Sequence, residues 1–100
     1  MDASARTTYL AECFWPDVSP AAVEEVAARV RRSARELTDG ATAVELRGSI
    51  VLLADEVVLY LFGGSSIEVV RDACARAGVP AERVIESVER REGADGRGVT

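Results

Sequence analysis

An α+β fold, a four-stranded antiparallel sheet with two helices on one face, is predicted by three features of this sequence. Segments with strand-like alternation and segments with helical apolar spacing follow one another in the order β-α-β-β-α-β. Each helical segment is preceded by a serine suited to capping and followed by a glycine. The run "VVLYLF", Val57 to Phe62, is apolar on both of its alternating sets, as expected of a strand covered on both sides. The length of 100 residues is that of one domain, and 48% hydrophobic residues is enough for a core.

Thr8 to Trp15 reads as the first strand, stopped by Pro16 and Asp17. Ser19-Pro20 opens a helix, with Ser as N-cap and Pro at the first helical position. Val23, Val26, Ala27, Val30, Ala34 and Leu37 then form one apolar stripe, and Glu25 and Arg29 are spaced to pair along the helix. Arg31, Arg32 and Arg35 suit the negative end of its dipole, and the helix is expected to end near Asp39-Gly40. Thr42 to Leu53 is the second strand, with Val44 and Leu46 alternating with Glu45 and Arg47, and Gly48 as the site of a bulge. A turn at Ala54-Asp55-Glu56 leads into the third strand, which Gly63-Gly64 is expected to break. Ser65 and Glu68 have capping-box spacing, Ile67, Val70, Ala73, Cys74 and Ala77 form the second stripe, and Gly78 and Pro80 end it. Val84 to Val88 is a short last strand. Residues 1–7 and the Gly-rich 90–100 are expected to be disordered, leaving 8–89 as the folded domain.

This order is that of the split βαβ, ferredoxin-like plan. Its helices cover one sheet face, yet the strands are apolar on both, Leu10 and Phe14 on one side of the first strand and Tyr9, Ala11, Cys13 and Trp15 on the other. An uncovered apolar face usually marks an interface, and the simplest cover is a second copy, giving a two-fold homodimer of the dimeric α+β barrel type.

Composition excludes several functions. The net charge of −5 argues against a nucleic-acid partner, since phosphate binding needs a basic face. Tyr60 and Phe62 lie where an RNA-binding module of this topology would stack bases, but the charge has the wrong sign. With no histidine, Ser-His-Asp, Cys-His and His-rich zinc chemistry are removed, and two cysteines make no structural zinc site. A copper chaperone of this topology would carry two cysteines after the first strand, where "WPDVSP" has none. No secretory leader or membrane-spanning run is read from the sequence, so Cys13 and Cys74 are expected to be reduced thiols of a cytoplasmic protein.

The stretch "YLAECFWP", a helix opened by Ser-Pro-Ala, a hairpin, and "SSIEVVRDACARAGVPAERVIESV" resemble the small ferredoxin-like proteins of the domain of unknown function 4242 family, nickel-binding-protein-like and common in actinobacteria. The resemblance covers roughly residues 8 to 89, and its most telling part is "ARAGVPAERVIE". Glu12 stands where such proteins tend to carry a glutamate. The resemblance implies a dimeric α+β barrel binding a transition metal such as nickel. Members credited with metal binding use histidine, which is absent here, and nickel favours imidazole and thiolate donors.

Glu12 alternates with Leu10 and Phe14 and is expected on the open face, where a carboxylate needs a partner. Two readings stand. One is a salt bridge across the sheet to Arg47 or Arg83. The other is a site in which Glu12, Phe14, Trp15 and Tyr60 hold a small ligand, or Glu12, Glu45 and Glu86 hold a metal ion such as nickel. The function expected is therefore non-enzymatic binding of a small ligand or metal ion by a homodimer. The alternatives are a cofactor-independent monooxygenase or cyclase using Glu12 as base in an apolar pocket, and a ligand-free structural or regulatory dimer.

Overall fold

In the computed structural model, which describes residues 7–90, the strands lie in the order β2-β3-β1-β4. They are β1 (Thr7–Phe14), β2 (Val44–Leu52), β3 (Val57–Gly64) and β4 (Arg83–Ser87), with helices α1 (Pro20–Leu37) after β1 and α2 (Ile67–Ala77) after β3. All three pairings are antiparallel, so the architecture is the expected ferredoxin-like α+β fold. The disorder expected of 1–7 and 90–100 falls on residues outside those described, apart from Thr7, which begins β1, and Arg90.

Alternation divides each strand between two faces. Tyr9, Ala11 and Cys13 of β1 and Val58, Tyr60 and Phe62 of β3 point to the helices and are buried. They meet Val23, Ala27, Val30 and Ala34 of α1 and Val70, Ala73, Cys74 and Ala77 of α2 in one core. Ala11 sits opposite Tyr60 in register, so the smallest side chain of β1 makes room for the largest of β3.

The helix starts follow from their caps. Ser19 Oγ accepts from Ala22 N–H at 3.2 Å, with Pro20 at the first turn. Helix α1 ends at Leu37, short of Asp39-Gly40, because the Thr38 hydroxyl engages the Ala34 carbonyl at 2.9 Å and accepts from Val44 N–H at 3.2 Å. The second N-cap is Ser66, whose Oγ accepts from Val69 N–H at 3.3 Å, and not Ser65. The Ser65 hydroxyl is taken by Ala43, accepting from its N–H at 3.0 Å. At Gly78 (φ +75°) α2 closes in a left-handed cap, with Val79 N–H donating to Cys74 O at 2.8 Å.

Strand β3 runs through Gly63 and Gly64, against the expected break there, and both residues pair with β1 and β2. The register slips between Leu46 and Gly48, which makes Arg47 the extra residue of a β-bulge. Its guanidinium lies across Gly63, where a Cβ would stand 2.5 Å from Nη2. From there Nη1 donates to Thr8 Oγ1 at 3.0 Å, while Nε pairs with Glu45 at 3.1 Å. Gly63 is thus the floor of a polar corner on the open face.

The rest of that face is mostly apolar, interrupted by Glu12 and Arg83. Leu10, Leu59 and Leu61 are half-buried, and Phe14, Ile50, Leu52 and Ile85 are exposed. Among the described residues no helix is long and apolar enough to cross a membrane.

Candidate functional site

On the helix side, where β1 ends, lies a cleft of about 220 Å³. Cys13, Trp15 and Pro16 form one wall, Val26 and Arg29 of α1 another, and Tyr60 reaches it from β3. Gly78, Val79 and Pro80, the exit of α2, close the remaining side. Helix α2 has to stop here, because Gly78 is left-handed and Pro80 offers no N–H, and the turning chain leaves the gap that the cleft occupies.

Tyr60 is 1% exposed, and its hydroxyl is buried with no hydrogen-bond partner among the described residues. A ring on a central strand stands perpendicular to the sheet, so the hydroxyl is the part that reaches between the helices. Burial pushes the phenol pKa up to about 12, and the nearby thiols Cys13 and Cys74 add to the rise while Arg29 opposes it. The Cys13 thiol is raised to about 12, first by burial and then by Cys74, Glu82 and Glu12. Cys74 is raised to about 11 by burial. At neutral pH the cleft therefore offers a phenolic O–H, a protonated thiol and one guanidinium. Both cysteines are free, as reduced thiols would be.

Arg29 is held by α2 and not by Glu25, the expected partner on its own helix. Its Nε donates to Ala77 O at 3.2 Å, and no described residue forms an ion pair with it. Trp15 and Pro16 are fixed by the β2–β3 turn. Trp15 N–H donates to Glu56 O at 2.7 Å, and Asp17 N–H to Glu56 Oε2 at 2.8 Å. Asp17 and Glu56 both hold left-handed backbone (φ 60° and 56°), uncommon for side chains of this size, so a single glutamate orders the loop that walls the cleft.

Of the residues expected to hold a ligand, Trp15 and Tyr60 share the cleft. Phe14 borders it, but by strand parity its side chain belongs to the open face, where it is 53% exposed. Glu12 does not join them. It lies on the open face, and Arg83 Nε donates to its Oε1 at 2.7 Å, which is the cross-sheet salt bridge. The sheet stands between Glu12 and the cleft, so Glu12 is no base for a molecule bound beside Tyr60.

The carboxylates expected to hold a metal are separated as well. Glu45 lies two strands from Glu12 and four residues along, roughly 13 Å along the strands and 10 Å across them. Glu86 is opposite Tyr9 in register, which puts it on the helix side. Among the described residues no group of three or more His, Cys, Asp or Glu side chains is placed to hold a metal ion. Tyr60 and Phe62 are core residues, at 1% and 0% exposure, and form no stacking platform.

Arg29, Glu56, Val79 and Pro80 carry no sequence signal for a site: the spacing of Arg29 suits a pair with Glu25, Glu56 lies in a turn, and Gly78 and Pro80 signal a helix stop.

A second cleft of about 300 Å³ lies between α2 and β4, walled by Arg71, Glu82 and Arg83. No buried polar atom without a partner is found there among the described residues. No protein-family model, curated protein or solved structure matches the chain.

Proposed function

We propose that this protein binds a small, largely apolar molecule in the cleft between Trp15, Tyr60 and Arg29 and leaves it chemically unchanged. The observation that carries this reading is the apolar, aromatic cleft bordered by Tyr60, whose buried hydroxyl has no partner among the described residues. Such a group costs on the order of 1–3 kcal/mol, and a bound molecule carrying an acceptor would remove that cost. The surroundings are apolar and aromatic with few polar groups, the usual make-up of a ligand site.

Binding is favoured over conversion by the groups present. A general base or nucleophile needs a pKa matched to the working pH. Cys13 and Tyr60 both sit at about 12, far from a match to neutral pH. A metal ion forms no part of the proposal.

The test is a titration followed by the fluorescence of Trp15, the only tryptophan in the chain. Small aromatic and aliphatic compounds bearing an acceptor should change its emission saturably, and Tyr60→Phe should weaken them about fivefold or more. Equal affinity for wild type and Tyr60→Phe would sink the proposal.

The open sheet face favours a further statement about assembly, that two copies pair through it. Ile50 and Phe14 are 52% and 53% exposed there, beside Leu52, Leu59 and Ile85. Charges on this face are joined in ion pairs, Glu12 with Arg83 and Arg47 with both Glu45 and Glu89, which leaves one excess negative charge per face for pairing to accommodate. Sedimentation should give twice the chain mass of 10.7 kDa, and Ile50→Glu should return it to one. A wild-type monomer at millimolar concentration rules pairing out.

A further inference from the structure

Resting on that binding reading, we propose that the cleft selects carboxylates: Arg29 takes the charge, the Tyr60 hydroxyl donates to the same group, and the apolar body lies against Trp15 and Val26.

The Arg29 guanidinium has five N–H donors in a fixed fork. One, on Nε, is committed to Ala77 O, which anchors the group at the cleft and leaves the Nη donors. No carboxylate of the described residues neutralises it, and none of the residues walling the cleft is acidic. Arg29, exposed and without an ion-pair partner among the described residues, and Tyr60, with its buried O–H unpartnered among them, thus border one cleft. What accepts from both is an anion with at least two acceptor oxygens and an apolar remainder, since the other walls are Trp15, Pro16, Val26 and Val79.

Two further facts fit. The phenol keeps its proton at neutral pH, so it donates and does not repel an anion. Arg29 and Tyr60 also border the same cleft. The volume, about 220 Å³, is below that of drug-sized sites and suits roughly ten non-hydrogen atoms. A phosphate monoester would bring a second charge that one guanidinium does not meet, so a monocarboxylate is the better match.

The experiment compares matched acids and amides: benzoate with benzamide, phenylacetate with phenylacetamide, hexanoate with hexanamide. Each is titrated against the full chain by Trp15 fluorescence and ligand-observed NMR at pH 7. The acids should bind about tenfold or more tightly than their amides. Arg29→Gln should bring each pair to within about twofold while amide binding persists, and Arg29→Lys should keep part of the preference. Thermal melts of both variants report on folding, and the lysine variant keeps the test open should the glutamine variant not fold. Amides that bind as well as acids overturn the carboxylate selectivity alone. A preference that survives Arg29→Gln assigns the acids to another site and also overturns it. Binding of none of the six overturns this inference together with the binding function it rests on.

Discussion

Tyr60→Phe should make the ligand-free protein more stable while impairing its site. The ring stays, with its packing against Ala11 and the helices, because Tyr60 is 1% exposed and only the hydroxyl is lost. That hydroxyl has no partner among the described residues, and removing it relieves about 1–3 kcal/mol of uncompensated desolvation. Against this stands the gap left by one oxygen, on the order of 20 Å³, which costs about 0.5 kcal/mol. The net expectation is a gain of about 1 kcal/mol. For a domain of this size that is a rise in Tm of roughly 4–8 °C. The assay is urea and thermal unfolding of both proteins at pH 7 and equal concentration, since pairing would make stability concentration-dependent. With a saturating carboxylate the order should narrow or reverse, because the wild type gains more from binding. If Tyr60→Phe is instead less stable by more than about 0.5 kcal/mol, the hydroxyl is already satisfied, by an internal water for instance, and its claim to be the recognition group is lost.

Other predictions concern pH, the polar corner and the open face. Folded Cys13 and Cys74 sit at about 12 and 11 against 9.0 for a free thiol, so above pH 9 the unfolded chain loses these protons first. Stability should therefore be level up to about pH 8.5 and fall through pH 9–11, each thiol contributing up to about 1.4 kcal/mol per pH unit. The chain has no lysine to titrate in this window, Tyr60, raised from 10.0 to about 12 by burial, adds to the fall above pH 10, and Cys74→Ala should reduce the slope; flat stability to pH 10.5 would refute the burial argument. Gly63→Ala should cost about 1 kcal/mol by displacing the Arg47 guanidinium, and the cost should vanish in an Arg47→Ala background, so an additive double-mutant cycle counts against that contact. Glu12→Gln should alter subunit stability by less than about 1 kcal/mol, since Arg83 is 65% exposed, yet weaken pairing about tenfold or more if the face is covered; sedimentation at a series of dilutions measures this.

Much of the fold was legible because its signals are local. Ser19-Pro20 starts α1, Gly78 ends α2, and Gly48 marks the bulge in β2. The alternation of Leu10, Glu12 and Phe14 put Glu12 on the open face, and Arg83 was among its expected partners. The misses share a cause. Ser65 and Ser66 are equally fit to cap α2 in isolation, and the choice between them is made by Ala43, 22 residues away in sequence, which engages Ser65. Gly63-Gly64 reads as a strand break until Arg47 is seen lying over Gly63.

The candidate site shows the same division. Periodicity assigned Trp15 and Tyr60 to apolar surroundings and set Trp15 on the face opposite Glu12; the ligand reading nevertheless grouped all three, which the sheet separates. Alternation says which residues share a face within a strand. It does not say which faces match between strands, because that depends on the register of β1 against β3 and on the bulge at Arg47. Arg29 was spaced to pair with Glu25, and only the approach of α2 offers it the Ala77 carbonyl. Short-range patterning thus determined the elements, their order and their apolar faces. Tertiary structure alone decided that a phenol, a guanidinium and an indole from three different elements border one cleft, since their convergence depends on helix docking and strand register, which no local stretch of the chain encodes.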